Sequence, residues 1–341
     1  MVISMFFIFS FSIYYFRKKF YELFFYFHHF FILFFMAFFI HGLGCFVKTD
    51  TGKCAPYYSS LMFSPFILIY CIERMYRLTR RKILINKVKF YHNNVFKIEF
   101  EKIFTYKSGQ YVMLCCPEIS NNQWHSFTIS SFPEEYKIEL TIKKLGNWTQ
   151  KLAGILKEKG STSIKVDGPF NSPCDSIYDF DSSVVIATGI GITPFISIIK
   201  DFVYKYKCNT LDLKKIDIIW VSRETENFDW FNGVLKILSD AIPESRLKFH
   251  VYLTQIIDTS TIHRMVSEPI PGLTYIKGTE ILLHYGRPDF DKFFKNYSYN
   301  NTKLRVGCFV CGPDSLQKTV KKSCISHSNK NITFTCISEK F

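Results

Sequence analysis

Ser182-Ser183-Val184-Val185-Ile186-Ala187-Thr188-Gly189-Ile190-Gly191-Ile192-Thr193-Pro194-Phe195 decides the architecture of the larger part of this chain. Val184-Val185-Ile186 reads as a strand buried on both faces, Thr188 to Pro194 as a glycine turn, and Phe195 to Tyr206 as a helix. A Gly-x-Gly turn between strand and helix offers backbone N–H groups and a helix N-terminus to an anionic phosphate. The same glycines also serve close helix packing, so the turn alone leaves both uses open. Further apolar strands follow at Ile216 to Val221, Phe249 to Leu253 and Val306 to Val310. Strands alternating with helical stretches predict a doubly wound α/β parallel sheet.

Before that turn the pattern is different. Short alternating stretches recur at Val95 to Phe100, Tyr111 to Cys115, Ile138 to Ile142 and Ser163 to Val166, with turn residues between them. They predict an antiparallel β-barrel. The expected fold is therefore membrane helices plus an α+β soluble body, in which the barrel precedes the nucleotide domain. The boundaries are residues 1–80, 81–180 and 181–341.

The membrane region follows from composition. The chain has 341 residues, and 18 of its 37 Phe fall in the first 70. A hydrophobic content of 48% with 21% charged residues excludes a disordered, collagenous or coiled-coil chain. The net charge of +14 suits an anionic cofactor or a cytoplasmic membrane surface. No Lys/Arg run is interleaved with aromatics at groove-binding spacing, so nucleic acid is not an expected partner. Eleven Cys without a framework pattern predict mostly reduced thiols. Cys308 and Cys311 form a single C-x-x-C, a weak zinc signal without a second pair.

Three apolar stretches are expected in residues 1–80. Met1 to Phe16 is uncharged, but sixteen helical residues reach only about 24 Å of a roughly 30 Å hydrocarbon core. It reads as the back half of a helix. Leu23 to Phe46 is long enough to span, and Tyr57 to Ile72 is the third stretch. Arg17-Lys18-Lys19 and the basic residues after Ile72 share one side, the cytosolic one. The intervening loop then faces outward, where Cys45 and Cys54 are candidates for a disulfide. His28 and His41 lie within the second stretch, about 20 Å apart along a helix but about 140° apart around it. Intramembrane His residues are functional candidates. They are either ligands to two haems or hydrogen-bonding partners of a neighbouring helix, and the angle requires a local distortion for the first reading.

Taken together, Tyr26 to Gly42, His125 to Ser131, Asp167-Gly168-Pro169-Phe170, Gly189 to Phe195, Trp230-Phe231, Tyr285-Gly286-Arg287-Pro288, Cys311-Gly312-Pro313 and a terminal Phe341 resemble the NADPH oxidase family. That family lies within the wider ferric reductase and ferredoxin–NADP reductase group, and the likeness covers nearly the whole chain. The resemblance implies FAD on His125, Phe127, Thr128 and Ser130, with Lys143, Gly146 and Thr149 toward its phosphates. Ser126 stands where the family has Pro, and Lys143 where it has Arg; Lys keeps the charge but loses the two-pronged grip on a phosphate. Gly189, Gly191, Thr193, Pro194, Gly312 and Pro313 would receive NADPH, with Ser222, Arg223 and Arg287 at its 2′-phosphate. Cys311 would lie beside the reactive carbon of the nicotinamide, and Phe341 would stack on the flavin until the nicotinamide displaces it.

The implied activity passes electrons from NADPH through FAD and two haems b to dioxygen, making superoxide. His28 and His41 would each give one axial ligand per haem. The other two ligands would come from an earlier helix, so an N-terminally shortened chain is expected. The implied setting is a multi-pass membrane protein of the plasma membrane, with cytosolic flavin and nucleotide domains. Membrane lipid surrounds it, and a membrane partner subunit is a candidate. A ferric-chelate reductase and a catalytically silent membrane subunit are the competing readings.

Overall fold

The computed structural model describes residues 1–43, 48, 51–52, 58–78, 82–223, 227–239, 243, 245–254, 281–300 and 304–339. The Cys45 and Cys54 pairing and Phe341 therefore lie outside the described residues. The chain divides into two compact units, Met1–Arg80 and Arg81–Phe341.

The first unit carries five helices: α1 (Val2–Ser12), α2 (Tyr14–Lys19), α3 (Tyr21–His28), α4 (Phe31–Leu43) and α5 (Tyr58–Leu78). Phenylalanine rings hold it together. Phe7 and Phe11 stack on Phe27 with centroids 5.2 and 4.0 Å apart, joining α1 to α3. Phe31 meets Tyr70 and Phe38 meets Phe63, joining α4 to α5.

Of the three expected apolar stretches, one forms a helix long and apolar enough to cross a membrane among the described residues: Leu23–His41. The first stretch breaks at Ile13, whose ψ of 137° is extended rather than helical. The third keeps only Leu61–Glu73 as a shorter apolar helix, with Pro65 inside it. Leu23–His41 itself is not uniform. At His29 and Phe30 the backbone tightens, His29 N–H donating to Tyr26 O and Phe30 N–H to Phe27 O. Two residues wound at about 120° instead of 100° bring His28 and His41 from about 140° to about 100° apart.

The second unit begins with seven strands: β1 (Lys82–Leu84), β2 (Lys87–Phe90), β3 (Val95–Glu101), β4 (Tyr111–Cys115), β5 (His125–Thr128), β6 (Lys137–Lys143) and β7 (Ser163–Phe170). They form two antiparallel sheets, β1-β7-β4-β5 and β2-β3-β6, linked by a bridge between Ile129 and Leu140. Alternation puts Phe96, Ile98 and Phe100 of β3, Leu140 and Ile142 of β6 and Val112 and Leu114 of β4 into one core. Helix α6 (Asn147–Lys159) closes that core with Trp148, Leu152 and Leu156.

The remaining strands are β8 (Ser182–Thr188), β9 (Lys215–Ser222), β10 (Leu247–Leu253), β11 (Ile281–Tyr285), β12 (Leu304–Cys311) and β13 (Ile332–Glu339). They make one parallel sheet in the order β11-β10-β9-β8-β12-β13. Alternation works here on both faces. Val185, Ala187, Phe309 and Cys311 enter one core with Phe195, Trp220, Trp230 and Phe231, covered by α7 (Thr193–Lys207) and α8 (Asn227–Ser239). Val184, Ile186, Cys308 and Val310 enter the other, covered by α9 (Phe290–Asn300) and α10 (Asp314–His327). Truncating a fully buried ring such as Phe309 costs about 3–5 kcal/mol. Strand order reverses at β8, between β9 on one side and β12 on the other, and such a switch point opens a crevice at the carboxyl ends of the strands.

Barrel and parallel sheet are tied by buried polar contacts. Ser108 Oγ donates to Asp201 Oδ2 at 2.7 Å, and Ser197 Oγ donates to Ser131 O at 2.6 Å. Glu139 on β6 receives Lys97 at 3.5 Å and Lys200 of α7 at 3.7 Å. Burial would raise the Glu139 carboxyl, but the two ammonium groups outweigh it and hold it below its usual range.

Candidate functional site

The register of the parallel sheet assembles one edge. Glu339 pairs with Cys311 and Cys311 with Ala187, while Ser222, Leu253 and Tyr285 share a row on the other side. Gly189, Gly312, Arg223 and Arg287 follow directly on these strand ends, so residues far apart in sequence meet at the carboxyl edge. Strand spacing of about 4.8 Å puts the β9 end about 10 Å from the β11 end.

Gly191 marks where the two loops at the switch point touch. A Cβ built on it would stand 2.8 Å from Cys311 O and 3.1 Å from Cys311 Sγ. A Cβ on Gly312 would come within 2.6 Å of Thr188 Oγ1. The glycine turn and the Cys311-Gly312-Pro313 loop therefore pack backbone to backbone, and only glycine permits it. Trp220 Nε1 donates to Gly189 O at 2.9 Å, and Gln317 Nε2 donates to Gly312 O at 2.8 Å. Thr193 and Pro194 are buried at the start of α7. Outside the turn there is room, since nothing lies within 4 Å of a Cβ on Gly189.

Cys311 is 4% exposed. Burial, and then the nearby Glu339 carboxylate, push its thiol up to about 12. It stays protonated at neutral pH, so it is a small polarisable surface and not a thiolate nucleophile. Glu339 was not legible as a site residue from sequence, because its place comes from register with Cys311. Its own carboxyl is raised by burial, against the hydrogen bond it accepts from Ser172 Oγ at 2.6 Å.

At the 2′-phosphate position the two expected residues part company. Arg223 is exposed beyond β9, whereas Ser222 is fully buried and its carbonyl accepts from Thr254 N–H at 3.0 Å. Arg287 is exposed after Gly286, whose φ is +90°.

On the barrel, alternation divides the expected FAD residues. His125 and Phe127 share one face of β5 and lie 4.5 and 5.8 Å from the Trp148 ring. Thr128 is on the opposite face and buried, and its Oγ1 has no hydrogen-bond partner among the described residues; the Trp148 Nε1–H is likewise unmatched. The Trp148 Nε1–H, orphaned beside the His125 and Phe127 rings, fits a ligand with a flat ring and polar edges. Ser130 does not face that slot. Its hydroxyl lies in the barrel, 3.0 Å from Glu139 O and 3.1 Å from Thr141 Oγ1. At the start of α6 the Thr149 hydroxyl donates to Gly146 O at 2.9 Å, and a Cβ on Gly146 would meet no atom within 4 Å. Lys143 ends β6 three residues before Gly146.

In the first unit, His28 and His41 are both exposed. Phe24 and Phe31 flank the His28 ring at 5.1 and 5.9 Å, and Ser12 Oγ lies 3.5 Å from its Nδ1.

An antiparallel barrel with a flat-ring slot, joined to a parallel sheet with a phosphate-type glycine turn at its switch point, defines a two-domain flavin and nicotinamide reductase. Residues 80–174 match an FAD-binding domain family, and residues 180–325 match the ferric reductase NAD binding domain. Among relatives, NADPH oxidase 1 of Mus musculus is 33% identical over 280 residues, 77% of this chain and 46% of that protein. A superoxide-generating NADPH oxidase heavy chain of Dictyostelium discoideum is 31% identical over 320 residues, 85% of this chain and 45% of that protein. The chain belongs to the NADPH oxidase family, and it spans about half the length of the curated relatives it matches. A ferredoxin NADP+ reductase from Neisseria gonorrhoeae with bound FAD and NADP shares the fold, with a TM-score of 0.51 and 18% identity over 75% of this chain and 98% of that one.

Proposed function

We propose that this chain is an NADPH-dependent flavin oxidoreductase that moves electrons from NADPH across a membrane to dioxygen and produces superoxide. Bound FAD and haem b supply the redox chemistry, converting a two-electron hydride donor into one-electron steps. The chain's own residues bind, orient and exclude water. The Gly189–Ile192 turn and the N-terminus of α7 receive the nucleotide's pyrophosphate, and Arg223 and Arg287 its 2′-phosphate. Cys311, protonated and buried, limits how close the nicotinamide approaches, and Phe341 is the residue that covers the flavin face. His125 and Phe127 border the flavin slot, Thr128 backs it from the other face of β5, and Lys143, Gly146 and Thr149 lie toward its phosphates. His28 and His41 each give one haem ligand, and the tightened turn at His29 and Phe30 brings them part of the way toward one face. Leu23–His41 crosses the plasma membrane in contact with lipid. The basic flanks keep the second unit in the cytosol, and a membrane partner subunit is compatible with this arrangement.

The observation that carries the reading is the meeting of Gly191 and Cys311 at the switch point. The test uses the full chain in detergent with FAD. It should acquire a flavin spectrum and oxidise NADPH with an artificial one-electron dye, and once the second ligand of each haem is supplied, oxygen should accept electrons in preference to a ferric chelate. A folded chain that stays colourless and leaves the dye oxidised would refute the proposal. Faster reduction of the ferric chelate would instead identify a ferric reductase.

A further inference from the structure

Cys308 and Cys311, three apart on β12, point to opposite faces of the sheet. The C-x-x-C spacing therefore binds nothing. Cys308 instead meets Cys324 of α10 and Cys336 of β13, and their three sulfur atoms all lie within 4.8 Å of one another. Cys308 and Cys336 are register partners on neighbouring strands, and α10 lies over that face. We propose that Cys308, Cys324 and Cys336 form a three-thiolate site for a soft d10 cation, zinc(II), that fastens α10 to β12 and β13.

The geometry is close to what such an ion needs. A metal–sulfur bond of about 2.3 Å at tetrahedral angles separates sulfurs by about 3.8 Å, so shifts of about half an ångström close the site. Thiolates select soft cations over magnesium or calcium, which take oxygen ligands. All three ligands sit on a helix or strand, which holds a site more firmly than loops do. Cys308 and Cys324 are 0% and 1% exposed, while Cys336 is half-buried and gives the ion a way in. Lys321, one turn before Cys324, bears on Cys336 and offsets part of the charge of a thiolate complex. Ser338, two residues along β13 and so on the same face, hydrogen-bonds Cys336. This is the only such three-ligand cluster among the described residues.

The test uses the full chain, chelator-stripped under reductant and titrated with cadmium(II) as a visible substitute for zinc. One equivalent should produce a thiolate-to-metal ultraviolet band, and zinc(II) should displace it. Cys324→Ser and Cys336→Ser should each weaken cadmium binding at least tenfold, whereas Cys71→Ser and Cys208→Ser, at exposed thiols, should leave it unchanged. In the unmodified chain, cadmium should block alkylation of Cys336 but not of Cys71, a readout that does not depend on whether the serine variants fold. Undiminished binding in both serine variants, or a Cys336 alkylated equally fast with and without cadmium, would overturn the site.

Discussion

Gly191→Ala tests whether the glycine turn is a close-packed wall of the nucleotide site. The new methyl would stand 2.8 Å from the Cys311 carbonyl oxygen and 3.1 Å from its sulfur. An ordinary contact needs about 3.4 Å, and the carbonyl cannot retreat, because β12 is hydrogen-bonded to β8 on one side and β13 on the other. The turn must therefore move by about half an ångström, at a cost of about 1–3 kcal/mol for overpacking. If that cost falls on the geometry of the bound nucleotide, kcat/KM for NADPH with a dye acceptor drops about 5- to 150-fold. Gly189→Ala is the control. Gly189 has a φ of +51° and nothing within 4 Å of a Cβ. Its alanine variant should lose about 1–2 kcal/mol of stability from the left-handed backbone, with a smaller effect on turnover. Steady-state NADPH oxidation and thermal midpoints for both variants decide the matter. A Gly191→Ala chain that turns over like the parent, or one that loses only stability, refutes the idea that the turn and the Cys311 loop shape the site together.

Arg223→Ala should raise the KM for NADPH about 10- to 150-fold while leaving NADH nearly unchanged, because one charge-assisted phosphate contact is worth about 1.5–3 kcal/mol; equal losses with both nucleotides would make Arg223 structural. His250 gives a pH prediction. Burial first, then His284, Lys248 and Lys215, lower it to about 4, and its Nδ1 lies 3.2 Å from His284 Nε2. The unfolded chain takes up a proton near pH 6.5 and the folded one near pH 4, so the contribution is complete above pH 6.5 and is lost as pH falls between these values. About a third of the group meets solvent, and after discounting for that screening the loss is about 2 kcal/mol. Thermal midpoints from pH 7 to 4 should fall, and His250→Phe should flatten the fall; an unchanged slope would place the titration elsewhere.

The parts legible in the sequence were those with a regular period. The apolar runs of β8, β9, β10 and β12 and the alternation of β3 and β6 gave the sheets, because buried strands leave few residue choices on either face. The glycine turn was legible because Gly191 has no space for a side chain. What was not legible came from tertiary pairing. Glu339 reaches Cys311 through register, and the cysteine trio draws on two strands and a helix. Ser130 lies inside the barrel against Glu139 and Thr141, a placement set by the neighbouring strand and not by its own stretch. The first and third apolar stretches matched a span in composition, yet extended backbone at Ile13 and the Ser and Pro65 of α5 shorten their helical apolar runs.

The strand order also governs how the chain is made. β8 lies in the middle of its sheet, yet one of its two neighbours is β12, and Ser182 waits for Val306. At ordinary synthesis rates that interval lasts roughly ten seconds. Throughout it, one long edge of a Val- and Ile-rich strand remains unpaired, the kind of edge that recruits other chains. Premature termination between β8 and β12 would make that exposure permanent, so such shortened products of this chain are expected to aggregate even though their barrel is complete.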